Sequence, residues 1–258
     1  MRESIMVENQ KNVIIGISGV SSCGKTTLCH LLRLIFPNIL VLHQDDFYKP
    51  EKEIPMKDGL KNWDCAEALS IPDMIKSLEY IRQNGALPPQ LISKEDQDSV
   101  SELPVSSHTV DTLRARVNSW LAPGQPGFVI RNKKVFLLDG FLLFSQSVST
   151  IWPFLDLKIF LQCSYKVAKA RREERNGYIT IDDYWKDPPN YVDSIVWPHY
   201  KNNHSWMFES GDVEGKLLDE LEVLGKPMTP GGVDVDLEKT LFWTVETFMK
   251  ELPGHFKD

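Results

Sequence analysis

The chain has 258 residues, of which 42% are hydrophobic and 25% are charged, so its composition is that of a folded globular protein. Its 36 Asp and Glu residues outnumber its 29 Lys and Arg residues, which gives a formal net charge of −7. Because general binders of nucleic acids and of anionic membrane surfaces are basic, this charge argues against both classes.

The N-terminal residues, the apolar segments and the cysteines predict the cellular location of the protein. The first eleven residues contain no apolar segment of the kind that a secretory signal carries. The longest apolar run, 135–144, has ten residues, whereas a membrane-spanning helix needs roughly 20. The four cysteines lack the spacing of a metal or redox motif, so we expect reduced thiols. These features predict a cytoplasmic protein.

Buried strands and amphipathic helices alternate along the chain. Strands are expected at short apolar, β-branched runs, and helices where apolar residues recur every three or four positions. In the first half these are strands at 13–18 and 39–43 and helices over 26–36, 70–84 and 109–121. Ser70 is expected to form a capping box with Asp73, and Gly85 to end that helix. Residues 86–127 are expected to form an insertion, which is polar and on the surface at 86–108.

The second half of the chain adds two further buried strands. A hairpin is predicted from 128–130, through the RNKK turn, into a strand at 135–138. The remaining predicted elements are a strand at 156–162, a basic helix over 165–175 capped by Ser164, a mostly helical stretch over 191–208, a linker at 226–232 and a final helix over 236–252. Strands that alternate with helices predict an α/β fold with a central, mostly parallel sheet flanked by helices.

The strongest functional signal is the run Gly19-Val-Ser-Ser-Cys-Gly24-Lys25-Thr26. It matches G-x-x-x-x-G-K-S/T between a predicted strand and a predicted helix, which is the setting of a phosphate-binding P-loop. The glycines let backbone N–H groups converge on phosphate oxygens, and the helix N-terminus adds positive potential. Lys25 would reach the β- and γ-phosphates, and Thr26 would offer its hydroxyl to Mg²⁺. The motif predicts a nucleoside triphosphate site.

Carboxylates follow the second and third predicted strands, in the runs QDDFY at 44–48 and LLDGF at 137–141. The carboxyl ends of parallel strands meet at one edge of the sheet, where ligands bind. We therefore expect Lys25, Asp45 and Asp139 to converge. Asp139 has the position of a magnesium-side carboxylate, and either Asp45 or Asp46 could accept the proton of an attacking hydroxyl.

Two further patterns are ambiguous by themselves. The basic helix contains Arg171, Arg172 and Arg175, which suit either a lid that neutralises phosphate charge or a solvated, salt-bridged surface. The pair Trp63-Asp64 suits ordinary packing. His199 and His204 lie five residues apart, which is the wrong spacing for a metal site on one helix face.

Taken together, the motifs resemble those of the nicotinamide riboside kinases. The resemblance rests on the P-loop and on HQDDFYKPEKEIP at 43–55, NWDCAEAL at 62–69, LLDGFLLF at 137–144, ARREER at 170–175, DPPNYVD at 187–193 and VWPHY at 196–200. It runs from about residue 13 to 215, except for much of 90–130. The P-loop alone is shared with uridine kinases, phosphoribulokinase and pantothenate kinases.

The resemblance implies a single P-loop kinase domain over 1–258, with a mobile lid at about 164–190 and a C-terminal helix at about 233–252. The implied reaction is ATP-dependent phosphorylation of the 5′-hydroxyl of nicotinamide riboside to nicotinamide mononucleotide, in NAD salvage. Its implied cofactors are ATP and Mg²⁺. The implied partner is a small nucleoside, with no nucleic acid and no membrane, and the expected state is a monomer.

The resemblance also implies a role for individual residues. The catalytic residues would be Asp45 as the base, Lys25 and Arg172. The nucleotide would be bound by Gly19, Ser21, Ser22, Cys23, Gly24, Lys25, Thr26, Thr27, Arg171, Arg175, Val213 and Gly215. The substrate would contact Asp45, Phe47, Tyr48, Trp63, Asp64, Arg172 and Asp187, with Trp63 on the nicotinamide ring and Asp64 on the ribose hydroxyls. The metal would lie near Thr26, Asp45 and Asp139.

The chain departs from the family pattern at two of these positions. Other members often carry Glu at the position of Asp139 and Tyr at the position of Trp63. Two other functions stay open from the residues alone: a uridine/cytidine kinase, and an ATP-binding regulatory module without catalysis. The ring cation of nicotinamide riboside suits an aromatic face beside carboxylates, which a neutral pyrimidine nucleoside does not need. The choice between ATP and GTP and the use of nicotinic acid riboside stay open as well.

Overall fold

The computed structural model describes residues 12–91, 93, 104–175, 177–179 and 184–256. The strands in these ranges are β1 (Val13–Gly19), β2 (Ile39–His43), β3 (Met56–Lys57), β4 (Leu60–Lys61), β5 (Val135–Gly140), β6 (Leu157–Leu161), β7 (Tyr178–Ile179) and β8 (Tyr184–Trp185). The α-helices are α1 (Lys25–Ile35), α2 (Ile71–Asn84), α3 (Ser107–Trp120), α4 (Tyr165–Glu174), α5 (Trp197–His204) and α6 (Leu237–His255).

Four of the described strands form a parallel sheet in the order β2-β5-β1-β6. Asp139 of β5 stands in register with Ile17 of β1 and with His43 of β2. Gly19, the last residue of β1, stands opposite Leu161 of β6. The carboxyl ends of β1, β2 and β5 therefore meet at one edge, as the α/β pattern of the sequence predicts.

Helices cover both faces of this sheet, which is why most residues of its strands are apolar. The alternate residues Val13, Ile15 and Ile17 face a core that α1, α3 and α6 share. Ile14 faces the opposite core, to which α2 contributes Met74. A third, smaller apolar cluster joins the segment around Trp63 to the π-helical segment Val192–Val196.

Most predicted elements are confirmed, with shifts of a few residues at their ends. α3 lies inside the predicted insertion, yet its apolar side chains belong to the main core. The polar residues 94–103 of that insertion lie outside the described residues. In the stretch 191–208 a π-helical turn leads into α5, and Trp197 N–H donates to the carbonyl of Val192. Pro198 follows in the first turn of α5.

Three local predictions are wrong. No hairpin precedes β5 in the described residues: Pro126–Ile130 is a short 3₁₀ helix, and a side chain at Gly127 would collide with the Trp120 ring. Close packing on α3 thus explains the apolar residues there. Ser70 is the N-cap residue of α2, but its side chain accepts no backbone N–H there, and its hydroxyl donates to Asp73 at 2.6 Å. The predicted linker pairs with the sheet edge, since Phe160 N–H donates to Met228 O at 2.8 Å.

Candidate active site

The loop between β1 and α1 makes a tight turn. Gly19 has φ +151, and a side chain there would lie 2.3 Å from Leu161 O, so only glycine fits. Ser22 and Gly24 also have positive φ values, 65 and 103. Cys23 N–H closes the turn on Val20 O at 3.2 Å, and α1 begins at the next lysine. The loop thus presents the N-terminus of α1 to an anion.

Lys25 lies inside this loop and is buried. Its Nζ donates to Val20 O at 3.1 Å. Burial alone would lower the pKa of Lys25, but the negative groups around it, among them Asp139 and Asp45, raise the pKa above its ordinary value. The side chain is therefore a fixed positive charge at the carboxyl edge of the sheet.

Asp139, the carboxylate that ends β5, is held by hydrogen bonds at one of its two oxygens. Thr26 Oγ1 donates to Oδ2 at 2.6 Å, and His43 Nδ1 lies 3.2 Å from the same oxygen. Burial raises the pKa of Asp139, but the bond from His43 and the charge of Lys25 bring it below its ordinary value. Oδ1 is buried and has no hydrogen-bond partner among the described residues. An ionised carboxylate and a hydroxyl are oxygen donors, which is the ligand chemistry that Mg²⁺ prefers.

Asp45 lies directly after β2, in the short 3₁₀ helix Gln44–Phe47. It is half-buried and close enough for its charge to raise the pKa of Lys25. The structure thus brings Lys25, Asp45 and Asp139 to the same edge of the sheet. Phe47, in the same 3₁₀ helix, is buried and belongs to the core that also contains Met74.

Arg172, a residue of α4, joins three parts of the chain. Its guanidinium pairs with Asp187 (Nε to Oδ2, 2.6 Å) and with Asp64 (Nη1 to Oδ1, 3.2 Å). Nη1 also donates to Ser21 Oγ of the P-loop at 2.6 Å. Burial raises the pKa of Asp64 above its ordinary value, and the charge of Asp187 adds to this against the opposing charge of Arg172. Two carboxylates, Asp64 and Asp187, thus share the one guanidinium of Arg172.

Trp63 is surrounded by other aromatic rings and is 4% exposed. Tyr48 meets it edge-on at 5.3 Å between ring centroids, and Trp185 lies 5.7 Å away at a tilt of 53°. Trp185 also donates its Nε1–H to Asp187 Oδ1 at 2.9 Å. Trp63 Nε1 is buried without a partner among the described residues. Tyr48, Trp63 and Trp185, from three separate segments, thus form an aromatic cluster next to Asp187.

The remaining residues implied by the resemblance lie around the P-loop. Arg171 Nη1 is 3.4 Å from Cys23 O, and Arg175 follows the last residue of α4. Val213 is buried in the core, and the carbonyl of Gly215 accepts from Gln162 at 3.0 Å. Thr27 is half-buried in the first turn of α1. Of the lid range 164–190, residues 176 and 180–183 lie outside the described residues.

A small opening extends from Ser21 and Asp64 to α5. His199 lines it, with Nε2 lying 3.1 Å from both Lys57 Nζ and Asn62 Nδ2. His199 and His43 lie within two of the family motifs, at 196–200 and 43–55, but neither residue nor Trp185 was predicted to have a role of its own. Trp185 stands two positions before Asp187, and His43 is the last strand residue before Gln44-Asp45-Asp46, so their positions in the motifs were the available signals.

A phosphate-binding loop with a carboxylate at the carboxyl edge of a parallel sheet defines a P-loop nucleoside triphosphate-binding protein. No family model matches the chain, but it is similar to three known nicotinamide riboside kinases. It is 38% identical over 211 residues to the one from Schizosaccharomyces pombe, covering 82% of this chain and 87% of the relative. With the Saccharomyces cerevisiae protein it shares 34% over 247 residues, covering 94% and 98%. With human nicotinamide riboside kinase 2 it shares 32% over 214 residues, covering 81% and 75%. The chain belongs to the nicotinamide riboside kinase family.

Proposed function

We propose that this protein transfers the γ-phosphoryl group of ATP to the 5′-hydroxyl of nicotinamide riboside, giving nicotinamide mononucleotide for NAD salvage. The observation that carries the proposal is the group of carboxylates and aromatic rings that lies beside the P-loop. Asp64 and Asp187 share one arginine, and Trp63 and Trp185 lie next to them. A nucleoside whose ring bears a permanent positive charge suits such a site, because cations are attracted to aromatic rings and to carboxylates. A uridine/cytidine kinase would not need it, and the named relatives favour neither that activity nor an inactive module.

The nucleoside would be held through its ribose by Asp64. Its Oδ1 and Oδ2 each accept one hydrogen bond from Arg172, at 3.2 and 3.3 Å. A carboxylate has about four acceptor sites, so two remain for the vicinal ribose hydroxyls. Because the carboxylate is buried, water competes little for these sites. Arg172 fixes the orientation of Asp64 and adds positive charge beside the P-loop.

ATP and Mg²⁺ would be held at the loop side. The N–H groups at the start of α1 and the Lys25 ammonium would bind phosphate oxygens. Mg²⁺ neutralises charge on the phosphate groups when it is bound, and Thr26, Asp139 Oδ1 and Asp45 would hold it. The donor set fits the metal, because Asp139 is ionised and offers a buried oxygen with no partner among the described residues.

Phosphoryl transfer then needs a proton acceptor near the 5′-hydroxyl. We assign this role to Asp45, whose charge already acts on Lys25. The hydroxyl oxygen forms a bond to the γ-phosphorus, the bond from phosphorus to the ADP oxygen breaks, and the hydroxyl proton passes to Asp45. The proposal includes a monomer that works in the cytoplasm.

The experiment is a coupled assay of the purified protein with MgATP and a panel of nicotinamide riboside, nicotinic acid riboside, uridine and cytidine. The expected result is the highest kcat/KM with nicotinamide riboside. Lys25→Ala should abolish turnover, whereas Lys134→Ala, an exposed lysine outside the site, should not. Higher kcat/KM with uridine or cytidine, or no turnover of any nucleoside, would refute the proposal.

A further inference from the structure

Two side chains, Thr26 and His43, hold the carboxylate of Asp139 by hydrogen bonds. His43 has no part in the proposed reaction. His43 ends β2 in register with Asp139 on the neighbouring strand. Its Nδ1 lies 3.2 Å from Asp139 Oδ2, the oxygen that also accepts from Thr26 at 2.6 Å. Both side chains are buried, with 5% of His43 and 4% of Asp139 exposed. Water therefore does not compete for this contact.

The chemistry of the pair fixes which nitrogen carries the proton. An ionised carboxylate only accepts, so the histidine nitrogen that contacts Oδ2 must be a donor. Because both hydrogen bonds are made to Oδ2, the lone pairs of Oδ1 accept no hydrogen bond from the described residues. A single donor would let the carboxylate swing about its bond to the chain. Two donors from different elements, α1 and β2, hold it in one orientation.

We propose that His43 is a positioning residue for the magnesium site. Its Nδ1–H holds Asp139 Oδ2, so that Oδ1 faces the position of the metal. The inference rests on the proposed function, because the metal is the one that accompanies ATP. Thr26 is itself a proposed ligand, whereas His43 is not, so the histidine orients the carboxylate without competing for the metal. Partners of this kind orient metal ligands and raise affinity.

The test uses ADP binding by the full-length protein, measured by calorimetry with and without Mg²⁺, without nucleoside and without turnover. His43→Phe keeps a ring but removes the N–H, and His43→Asn keeps a donor nitrogen near the place of Nδ1. His108→Ala, an exposed histidine on α3, is the control. His43→Leu also lacks the donor and gives the same comparison if the phenylalanine variant does not fold.

We expect Mg²⁺ to tighten ADP binding in the wild type and in His108→Ala. In His43→Phe this gain should fall by about tenfold or more, while metal-free ADP binds as before. His43→Asn should recover most of the gain, which a loss of packing alone would not explain. An equal Mg²⁺ gain in all variants would overturn the role of His43 and leave the proposed function standing. Absence of any gain in the wild type would overturn the magnesium site, and the role of His43 with it.

Discussion

At the scale of single residues, Asp45 and Arg172 differ in how far their positions can be predicted from the sequence. Asp45 follows β2 directly, so its place at the sheet edge can be predicted from strand order alone. Arg172 is one of several basic residues on α4, and only the structure shows that it bridges Asp64 and Asp187. A helix face can be predicted from spacing, but the partner that a long side chain chooses depends on segments far away in sequence.

Replacement of Asp45 by Asn tests the proposed base. The amide keeps the shape but cannot take the hydroxyl proton, so kcat should fall by about 100-fold or more while ATP affinity stays close to that of the wild type. Steady-state kinetics and ATP titration measure the two effects separately. Asp58→Asn, at an exposed turn, is the matched control. Near-normal kcat in Asp45→Asn, with a loss in Asp46→Asn, would move the role to Asp46.

At the scale of elements, the turn between β1 and α1 shows how strand packing and ligand binding constrain the same residue. Gly19 stands where β1 meets β6, and its α-carbon faces the carbonyl of Leu161. A side chain there would force the loop away from the sheet edge and would move the N–H groups that would bind phosphate.

Gly19→Ala should therefore lower both stability and nucleotide binding. The new Cβ would lie 2.3 Å from Leu161 O, and backbone strain of this kind costs about 1–3 kcal/mol. Gly124→Ala is the control, because Gly124 also has positive φ (+81) but open space around it. Thermal unfolding and ADP titration of both variants give the comparison. If the two variants lost the same stability and bound ADP equally well, the close contact would not matter.

Elements whose signal is local could be predicted, and those fixed by distant partners could not. β1, β2, β5 and β6 are apolar on both faces, and this pattern needs no knowledge of their neighbours. The bridge at Met228 has no such pattern, because a single residue pairs with the edge of β6. Similarly, the apolar residues of Pro126–Ile130 suggest a strand until the packing of Gly127 on Trp120 is known. The same holds for the candidate site. The P-loop residues and the carboxylates Asp45 and Asp139 were predicted, but Trp185 and His43 were not.

At the scale of the whole molecule, the edge of the sheet that carries the candidate site adjoins two groups of packed aromatic side chains and helices. His204 belongs to one of them: it is fully buried among Phe160 and Tyr200 on the side of α5 away from solvent. Its Nδ1 lies 3.1 Å from the carbonyl of Tyr200. Burial lowers the pKa of His204 from 6.5 to about 4, so the folded protein holds it neutral.

This burial makes the stability of the molecule depend on pH. Between pH 7 and pH 5 the unfolded chain protonates His204 and the folded chain does not, so stability falls as pH falls, by about 2 kcal/mol from this group. His204→Phe keeps a ring in the same aromatic environment and removes the titration. Urea unfolding at both pH values should show a smaller pH dependence in the variant. Identical pH dependence in the two proteins would contradict the burial of a neutral imidazole.

The central claim is that Asp64, Asp187 and the two tryptophans beside them recognise a cationic nucleoside. The most direct measurement compares kcat/KM for nicotinamide riboside with that for its reduced dihydro form, which has the same ribose and carboxamide but no ring charge. A cation beside aromatic rings gains about 0.5–2 kcal/mol, so the charged substrate should be favoured by roughly two- to thirtyfold. Asp187→Asn should reduce this preference. Equal kcat/KM for the two nucleosides, or a preference for the neutral one, would contradict the account.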